Sequence, residues 1–120
     1  MSEKGDLSEV VFRIKRMMTA VEETTEFTDL NLMARQLLDH IAANQSVRYP
    51  LSVVEIMGLH KLGSPATLHK RLGELISAGL VRLDIDTKDN RRKFARLTPK
   101  AVSIYNRISA ALSSEMRRTK

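Results

Sequence analysis

The chain has no cysteine, so it can form no disulfide bond, thiol redox centre or thiolate metal site. It also lacks an apolar run long enough to cross a bilayer, and its first residues, MSEKGDLSEV, contain no apolar signal-peptide core. We therefore expect a cytoplasmic protein that has no membrane partner. Aromatic residues make up only 4% of the 120 residues, too few for the exposed row of rings that binds single-stranded nucleic acid.

Patterns of catalytic and metal-binding residues are also missing. The histidines His40, His60 and His69 fall on three different predicted helices and share no ligand spacing, whereas a metal site needs converging donors. No Ser/His/Asp arrangement, phosphate-binding glycine loop or dinucleotide-binding fingerprint occurs. The sequence therefore predicts a protein that is not an enzyme and that carries no metal ion and no cofactor.

The 20 basic and 14 acidic residues are unevenly distributed along the chain. Residues 1–46 hold 5 basic and 8 acidic side chains and carry −3, whereas residues 47–120 hold 15 basic and 6 acidic side chains and carry +9. Positive charge gathered on one part of a chain is typical of proteins that bind a polyanion such as nucleic acid. The alternative is that the charge only keeps the protein soluble.

The first half of the chain has apolar residues at helical spacing. This spacing predicts a helix over residues 7–23, and Phe12 falls off its main stripe, so the helix is expected to be apolar on more than one side. Thr28–Asp29 are typical caps and predict a second helix that fades at residues 43–45. Residues 47–49 follow as a predicted short strand.

The next segment contains the start and stop signals of two short helices. Ser52 and Glu55 fit a capping box for a helix that runs to about residue 60. Ser64 and Pro65 are the cap and first residue of the following helix, and Gly79 ends it. Two helices that meet at a short turn are typical of a helix-turn-helix.

A hairpin and a last helix complete the pattern. Strands are predicted at residues 80–86 and 94–97, with the charged loop of residues 86–93 between them. A last helix is predicted over residues 99–116. The sequence thus predicts a winged helix-turn-helix, a mainly α fold with a small β-hairpin wing (α+β), in one domain over residues 1–120.

The second helix of this motif has one apolar and one polar side. Leu68, Leu72, Leu75 and Ile76 share the side that we expect to face the core. The candidate DNA-binding residues lie elsewhere on the helix or at its start: Ser64, Pro65, Ala66, Thr67, His69, Lys70 and Arg71. Small and basic side chains suit the major groove: Ala66 for a thymine methyl, Thr67 and Lys70 for base edges or phosphates. The alternative is a solvated helix face in a module that binds another protein.

The charged loop is the candidate wing. A guanidinium on such a loop can enter the minor groove, where the electrostatic potential is most negative. Asp89 lies two residues before Arg91 and is expected to accept a hydrogen bond from it, as a positioning residue. The candidate wing contacts are Lys88, Asn90, Arg91, Arg92 and Lys93. The alternative is that these charges only prevent the hairpin edge from aggregating.

The wing and its flank, DNRRKFARLTPKA, resemble the D-x-R…L-T-x-K-G pattern of the MarR family of winged-helix transcriptional regulators. The matching residues are Asp89, Arg91, Leu97, Thr98 and Lys100, and Ser64–Thr67 resembles the start of that family's recognition helix. Ala101 stands where the pattern has glycine. The resemblance covers about residues 50–105, and it implies a homodimer built from N- and C-terminal helices, a recognition helix in the major groove and a wing arginine in the minor groove.

Together these features predict a homodimeric transcriptional regulator that binds double-stranded DNA at a specific sequence. The predicted helices at residues 7–23 and 99–116 would form the dimer contact, and the protein would be nucleoid-associated when bound to DNA. Two other readings remain open. One is a winged-helix module that binds another protein, and the other is a nucleoid or replication protein with little sequence preference. No residue pattern indicates a small-molecule effector.

Overall fold

A computed structural model describes residues 7–47, 49–89 and 91–118 of the chain. It divides into two compact units, which we call the helical unit (the described part of Met1–Asp29 and Ser103–Lys120) and the winged unit (Leu30–Val102). The elements, in chain order, are α1 Leu7–Glu22, a 3₁₀ helix Glu26–Asp29, α2 Leu32–Val47, α3 Val53–Met57, α4 Pro65–Ser77, β1 Val81–Ile85, β2 Lys93–Leu97 and α5 Pro99–Arg118.

The first helix of the winged unit, α2, begins and ends later than predicted. Its cap is Asn31, whose Oδ1 accepts hydrogen bonds from the amides of Met33 (2.8 Å) and Ala34 (3.3 Å). The predicted cap, Thr28–Asp29, belongs to the 3₁₀ helix instead. The helix continues to Val47, so the strand predicted to begin there is wrong at that residue. A tertiary contact supports the extra turn, because Gln45 Oε1 accepts from the amide of Leu97 at 2.9 Å.

The capping box that begins α3 is confirmed. Ser52 Oγ accepts from the amide of Glu55 at 3.1 Å, and Glu55 Oε1 accepts from the amide of Ser52 at 2.9 Å. The backbone hydrogen bond from Ser52 is the main reason why the pKa of Glu55 is lowered. The helix ends at Met57, before the predicted residue 60, because the amides of Gly58 and Leu59 bond three residues back, in the tighter 3₁₀ pattern.

The stop predicted at Gly79 is confirmed. Its φ is +76°, a left-handed conformation that glycine adopts without steric cost. The amide of Leu80 donates to the carbonyl of Leu75 and that of Gly79 to Ile76, both at 3.0 Å, which is the Schellman pattern of helix ends. The chain then enters β1, which pairs antiparallel with β2.

The hairpin is joined to the segment before α3. The amide of Ala95 donates to the carbonyl of Leu51 at 2.8 Å, and Ser52 forms a β-bridge with Phe94. This isolated bridge lies on the free side of β2. It ties the wing to the start of the helix-turn-helix.

The core of the winged unit lies where α2 and α3 pack against α4, and where α2 and α4 pack on the hairpin. Its buried residues are Ala34, Leu37, Leu38, Ile41, Leu51, Ile56, Leu68, Leu72, Leu75, Leu80, Val81, Ala95 and Ala101. Ile76, predicted to face this core, is 38% exposed. It follows Leu75 by about 100° around the helix, which carries it past the edge of the buried stripe.

The helical unit buries less of its apolar surface. Phe27 is buried and its ring meets the ring of Tyr105 edge-on at 5.0 Å, while Glu26 pairs with Arg107 at 2.9 Å. By contrast, α1 exposes large apolar side chains to between 38 and 57%: Val10, Val11, Phe12, Ile14 and Met18. Within the described residues, no helix is both long enough and apolar enough to cross a membrane.

Candidate nucleic-acid interface

The N-terminal end of α4 is held by the predicted cap. Ser64 Oγ accepts from the amide of Thr67 at 3.3 Å, and its hydroxyl donates to Thr67 Oγ1 at 3.0 Å. Pro65 occupies the first helical position, where a missing amide hydrogen costs nothing. The two hydroxyl side chains at the start of the helix therefore have a defined geometry.

The side of α4 away from the core presents small and basic residues. Gly73, on this side, has open space around the position that a Cβ would take. Thr67 is half-buried, and the other candidates apart from Arg71 are exposed: Ser64, Pro65, Ala66, His69 and Lys70. This side is free of bulky apolar groups over its first two turns, so it can approach another surface closely.

Arg71 is engaged on its own helix. Its Nη1 lies 2.6 Å from Glu74 Oε2, and its side chain is only 19% exposed. Its Nε is buried and has no hydrogen-bond partner among the described residues. Contact between Arg71 and a DNA backbone would therefore require the guanidinium to leave Glu74.

The wing loop is shaped by acidic residues. The amide of Asp86 donates to the carbonyl of Arg92 at 2.9 Å, which closes the loop, and Asp86 Oδ1 accepts from the amide of Lys88 at 2.9 Å. The amide of Arg92 in turn donates to the carbonyl of Asp89 at 2.9 Å. Lys88 is exposed at this tip. Asn90, also a candidate, lies outside the described residues.

Asp89 lies against Arg91 as the sequence suggested. Its Oδ1 accepts from the Arg91 amide at 3.1 Å and from Arg91 Nε at 3.2 Å. These two bonds, that of the side chain first, lower the pKa of Asp89. The Arg91 side chain is nevertheless 90% exposed. The carboxylate thus holds the Arg91 guanidinium through its Nε, while the side chain as a whole remains exposed to solvent.

Sequence reasoning missed a basic cleft beside the wing. The Arg92 guanidinium lies over the Phe94 ring, 5.2 Å from its centroid, and Arg91, Arg92 and Lys93 are all exposed. A cleft of about 260 Å³ is lined by Ser52, Val53, Val54, Arg91, Arg92 and Lys93. Val54 is 81% exposed, next to these three cations. The bridge between Ser52 and Phe94 brings the two segments together, and no local signal predicts that pairing.

A second charged group, also missed, lies on the solvent side of the hairpin. Asp84 Oδ1 is 3.0 Å from Arg82 Nε, and its Oδ2 is 2.9 Å from Arg96 Nε. Arg82 and Arg96 are cross-strand partners, so the carboxylate separates two like charges that would otherwise repel each other. The wing therefore keeps two more arginines in fixed positions near its base.

No protein-family model matches the chain, and no curated protein matches its sequence. Solved structures match it closely in fold. The transcriptional regulator Tm0710 from Thermotoga maritima aligns with a TM-score of 0.71 and 16% identity over 94% of this chain and 74% of that one. An S. aureus MepR–DNA complex aligns with a TM-score of 0.64 and 20% identity over 93% of this chain and 85% of that one. S. aureus MepR bound to ethidium bromide aligns with a TM-score of 0.65 and 21% identity over 98% of this chain and 81% of that one.

These matched structures are MarR-family transcriptional regulators. Their similarity, together with the helical architecture and the two-stranded antiparallel hairpin, confirms the predicted winged-helix fold. The likeness extends over more than nine-tenths of this chain, so it includes elements of both units.

Proposed function

We propose that this protein is a homodimeric transcriptional regulator of the MarR type that binds double-stranded DNA at a specific sequence. The observation that carries the proposal is the exposed, small and basic side of α4 in a winged-helix fold whose hairpin tip bears the exposed Arg91. One of the structures with this fold is a DNA complex of S. aureus MepR. The protein acts by binding alone, without a catalysed reaction, in the cytoplasm and on the nucleoid.

In this proposal α4 is the recognition helix and enters the major groove. Thr67 Oγ1 accepts the hydroxyl proton of Ser64, so its own proton is left to donate to a base acceptor or a phosphate. Lys70 donates to guanine acceptors or a phosphate, and Ala66 contacts a thymine methyl group. Ser64 and Pro65 lie at the positive end of the helix dipole, next to a phosphate. His69 contacts the DNA backbone, and Arg71 does so after its guanidinium leaves Glu74.

The wing supplies the second contact. Arg91 enters the minor groove, where its exposed guanidinium meets the most negative potential, and Asp89 orients it. The flanking residues neutralise phosphates and release counterions, which makes affinity depend on salt. They are Lys88, Asn90, Arg92 and Lys93.

The dimer forms through the helices at residues 7–23 and 99–116, and the rest of the single domain over residues 1–120 presents the DNA-binding surface. Support comes from the exposed apolar side chains of α1, since a patch of this kind marks an interface. A groove of about 460 Å³ in the helical unit is lined largely by apolar groups, among them Met17, Val21 and Ala111. A two-fold dimer implies an inverted repeat with half-sites about 10 base pairs apart, or a multiple of that spacing.

The decisive experiment is selection of bound sequences from a random duplex pool. The selected and random duplexes are then titrated at two salt concentrations, with sedimentation of the free protein alongside. A specific regulator enriches an inverted repeat and prefers it to random duplex by about 10³-fold or more. Salt-dependent binding with no enriched motif would instead indicate a nucleoid or replication protein. A protein that binds no duplex at low salt would be a protein-interaction module.

A further inference from the structure

Three consecutive backbone carbonyls at the end of α4 are bound by one short segment of the chain. Lys100 Nζ donates to the carbonyl of Ala78 at 3.1 Å, and the Thr98 hydroxyl donates to that of Gly79 at 2.6 Å. The amide of Thr98 donates to the carbonyl of Leu80 at 3.1 Å. We call these three contacts, between residues 78–80 and residues 98–100, the carbonyl clamp.

The clamp completes the end of a helix that would otherwise leave acceptors unpaired. The last carbonyls of any helix have no partner within it. The Schellman pattern accounts for Leu75 and Ile76, and Lys100 provides for the carbonyl of Ala78, the C-cap. The carbonyls of Gly79 and Leu80 follow the helix, and the bond from the Thr98 amide to Leu80 continues the pairing of β1 with β2. The Lys100 ammonium also lies at the negative end of the α4 dipole, where a cation is stabilising.

The same Thr98 hydroxyl begins the next helix. Its Oγ1 accepts from the amide of Ala101 at 3.2 Å, as an N-cap of α5, while its proton goes to Gly79. One side-chain oxygen therefore joins the end of α4 to the start of α5. Valine in its place would occupy nearly the same volume but lose both bonds.

We propose that Thr98 and Lys100 are positioning residues that set the tilt of α4 in the DNA groove and so sharpen sequence preference without touching a base. The inference rests on the proposed function, because it concerns the helix that would read DNA. α4 has 13 residues and is about 20 Å long, at about 1.5 Å per residue. Its buried leucines, Leu68, Leu72 and Leu75, hold one side of the helix from its first turn to its last, and the clamp adds a polar restraint at the C-terminal end, so its loss lets the helix change its tilt slightly on that apolar contact. The reading residues at the other end, Thr67 and Lys70, then lose their register with the base edges.

Hydrogen exchange tests the clamp in the full-length protein without DNA. Thr98→Val should speed exchange of the Gly79, Leu80 and Ala101 amides by about tenfold, the factor for one lost hydrogen bond. Exchange of the α2 amides should stay at the wild-type rate. Thr98→Ser keeps the hydroxyl and should restore slow exchange. Thr28→Val makes the same chemical change at an exposed threonine of the helical unit. It should leave the exchange of the Gly79, Leu80 and Ala101 amides and of the α2 amides at the wild-type rate.

DNA titration tests the consequence, with a duplex selected by the wild-type protein and a random-sequence duplex as the two probes. Thr98→Val and Lys100→Met should each lower affinity for the selected duplex by about tenfold, while affinity for random duplex and its salt slope stay unchanged. Thr98→Ser and Lys100→Arg should recover most of the loss. Lys100 is exposed, so its methionine variant remains folded and tests the clamp even if the Thr98 variant unfolds.

Three outcomes would overturn the inference. The first is unchanged exchange at residues 79–80 in Thr98→Val. The second is equal loss of affinity for both duplexes, which indicates lost stability rather than lost position. The third is a salt slope reduced by about one in Lys100→Met, which indicates a phosphate contact. If the wild-type protein prefers no duplex sequence, the proposed function fails, and the clamp then has no sequence preference to sharpen. The exchange result still decides whether the clamp holds the end of α4.

Discussion

The two units of this chain achieve burial in different ways. The winged unit has a core of almost fully buried leucines and isoleucines, although Leu32, Ile76 and Ile85 are exposed on its surface, and its helices α3 and α4 start and stop at defined caps. In the helical unit, α1 leaves most of its large apolar side chains half exposed, and the buried residues are fewer, among them Phe27, Ile104 and Ile108. The difference teaches that the winged unit is stabilised by its own core, whereas α1 leaves a continuous set of apolar side chains exposed, as the proposed dimer contact requires.

The largest expected effect tests the sealed core. Leu75→Ala removes a fully buried side chain and should lower the free energy of unfolding by about 2–5 kcal/mol, measured by denaturant titration. Ile76→Ala is the matched control, because the neighbouring residue is exposed and its truncation should cost much less. Equal losses at both positions would mean that the core extends further around α4 than the burial of these residues indicates.

The next effect tests the open surface of α1. Phe12→Ser should raise the dimer dissociation constant by about 30-fold or more, as expected for an aromatic residue that contributes about 2 kcal/mol to an interface. Sedimentation over a range of concentrations measures this change. Leu32→Ser alters an exposed leucine of the winged unit and should leave assembly unchanged. If the wild-type protein is monomeric at tens of micromolar, the exposed apolar side chains of α1 do not form a dimer contact.

A smaller effect separates the two proposed DNA contacts of the winged unit, Lys70 and Arg91. Lys70→Ala should cost about 1–3 kcal/mol on a selected duplex if the ammonium reads a base. Arg91→Ala should weaken binding to most sequences and lower the salt slope by about one. Fluorescence titrations at several salt concentrations distinguish the two patterns. An unchanged isotherm for Lys70→Ala would mean that the exposed side of α4 is not the reading surface.

The smallest effect concerns the capping box of α3. The pKa of Glu55 is lowered in the folded protein, so its contribution to stability is present above its unfolded pKa and is lost as the pH falls through the folded value. Glu55→Gln should cost less than about 1 kcal/mol at neutral pH, and the difference from wild type should shrink below about pH 4. Thermal melts at pH 7 and pH 3 measure the change. A difference that grows in acid would contradict the assigned direction of the pKa shift.

Much of the winged unit could be predicted because its signals are local. Ser52 with Glu55, and Ser64 with Pro65, each bind amides within three residues, so the chain pattern alone identifies them. The capping of α2 was predicted wrongly for the same reason. Thr28–Asp29 have the chemistry of a cap, and only the fold distinguishes them from Asn31.

Most of the features that were missed join distant parts of the chain. Gln45 extends α2 by reaching Leu97, and the carbonyl of Leu51 pairs with the amide of Ala95. Neither contact produces a pattern in the sequence, because each is a single hydrogen bond whose two partners are brought together by the packing of distant segments. Thr98–Pro99 repeats the cap-plus-proline start of Ser64–Pro65, so the bond from the amide of residue 101 is a local signal, whereas the bond from Thr98 to the carbonyl of residue 79 became visible only with the fold.

The bridge between Ser52 and Phe94 beside β2 has a consequence for how the tip of this hairpin can change. A two-stranded ribbon is marginally stable by itself, but the hydrogen bond from Ala95 to Leu51 anchors the base of this one to the body of the winged unit. The loop beyond it, residues 86–92, is closed by its own internal bonds. Substitutions or insertions in the loop can therefore change the surface that it presents while the attachment stays intact, so a different tip can evolve there at little cost to folding.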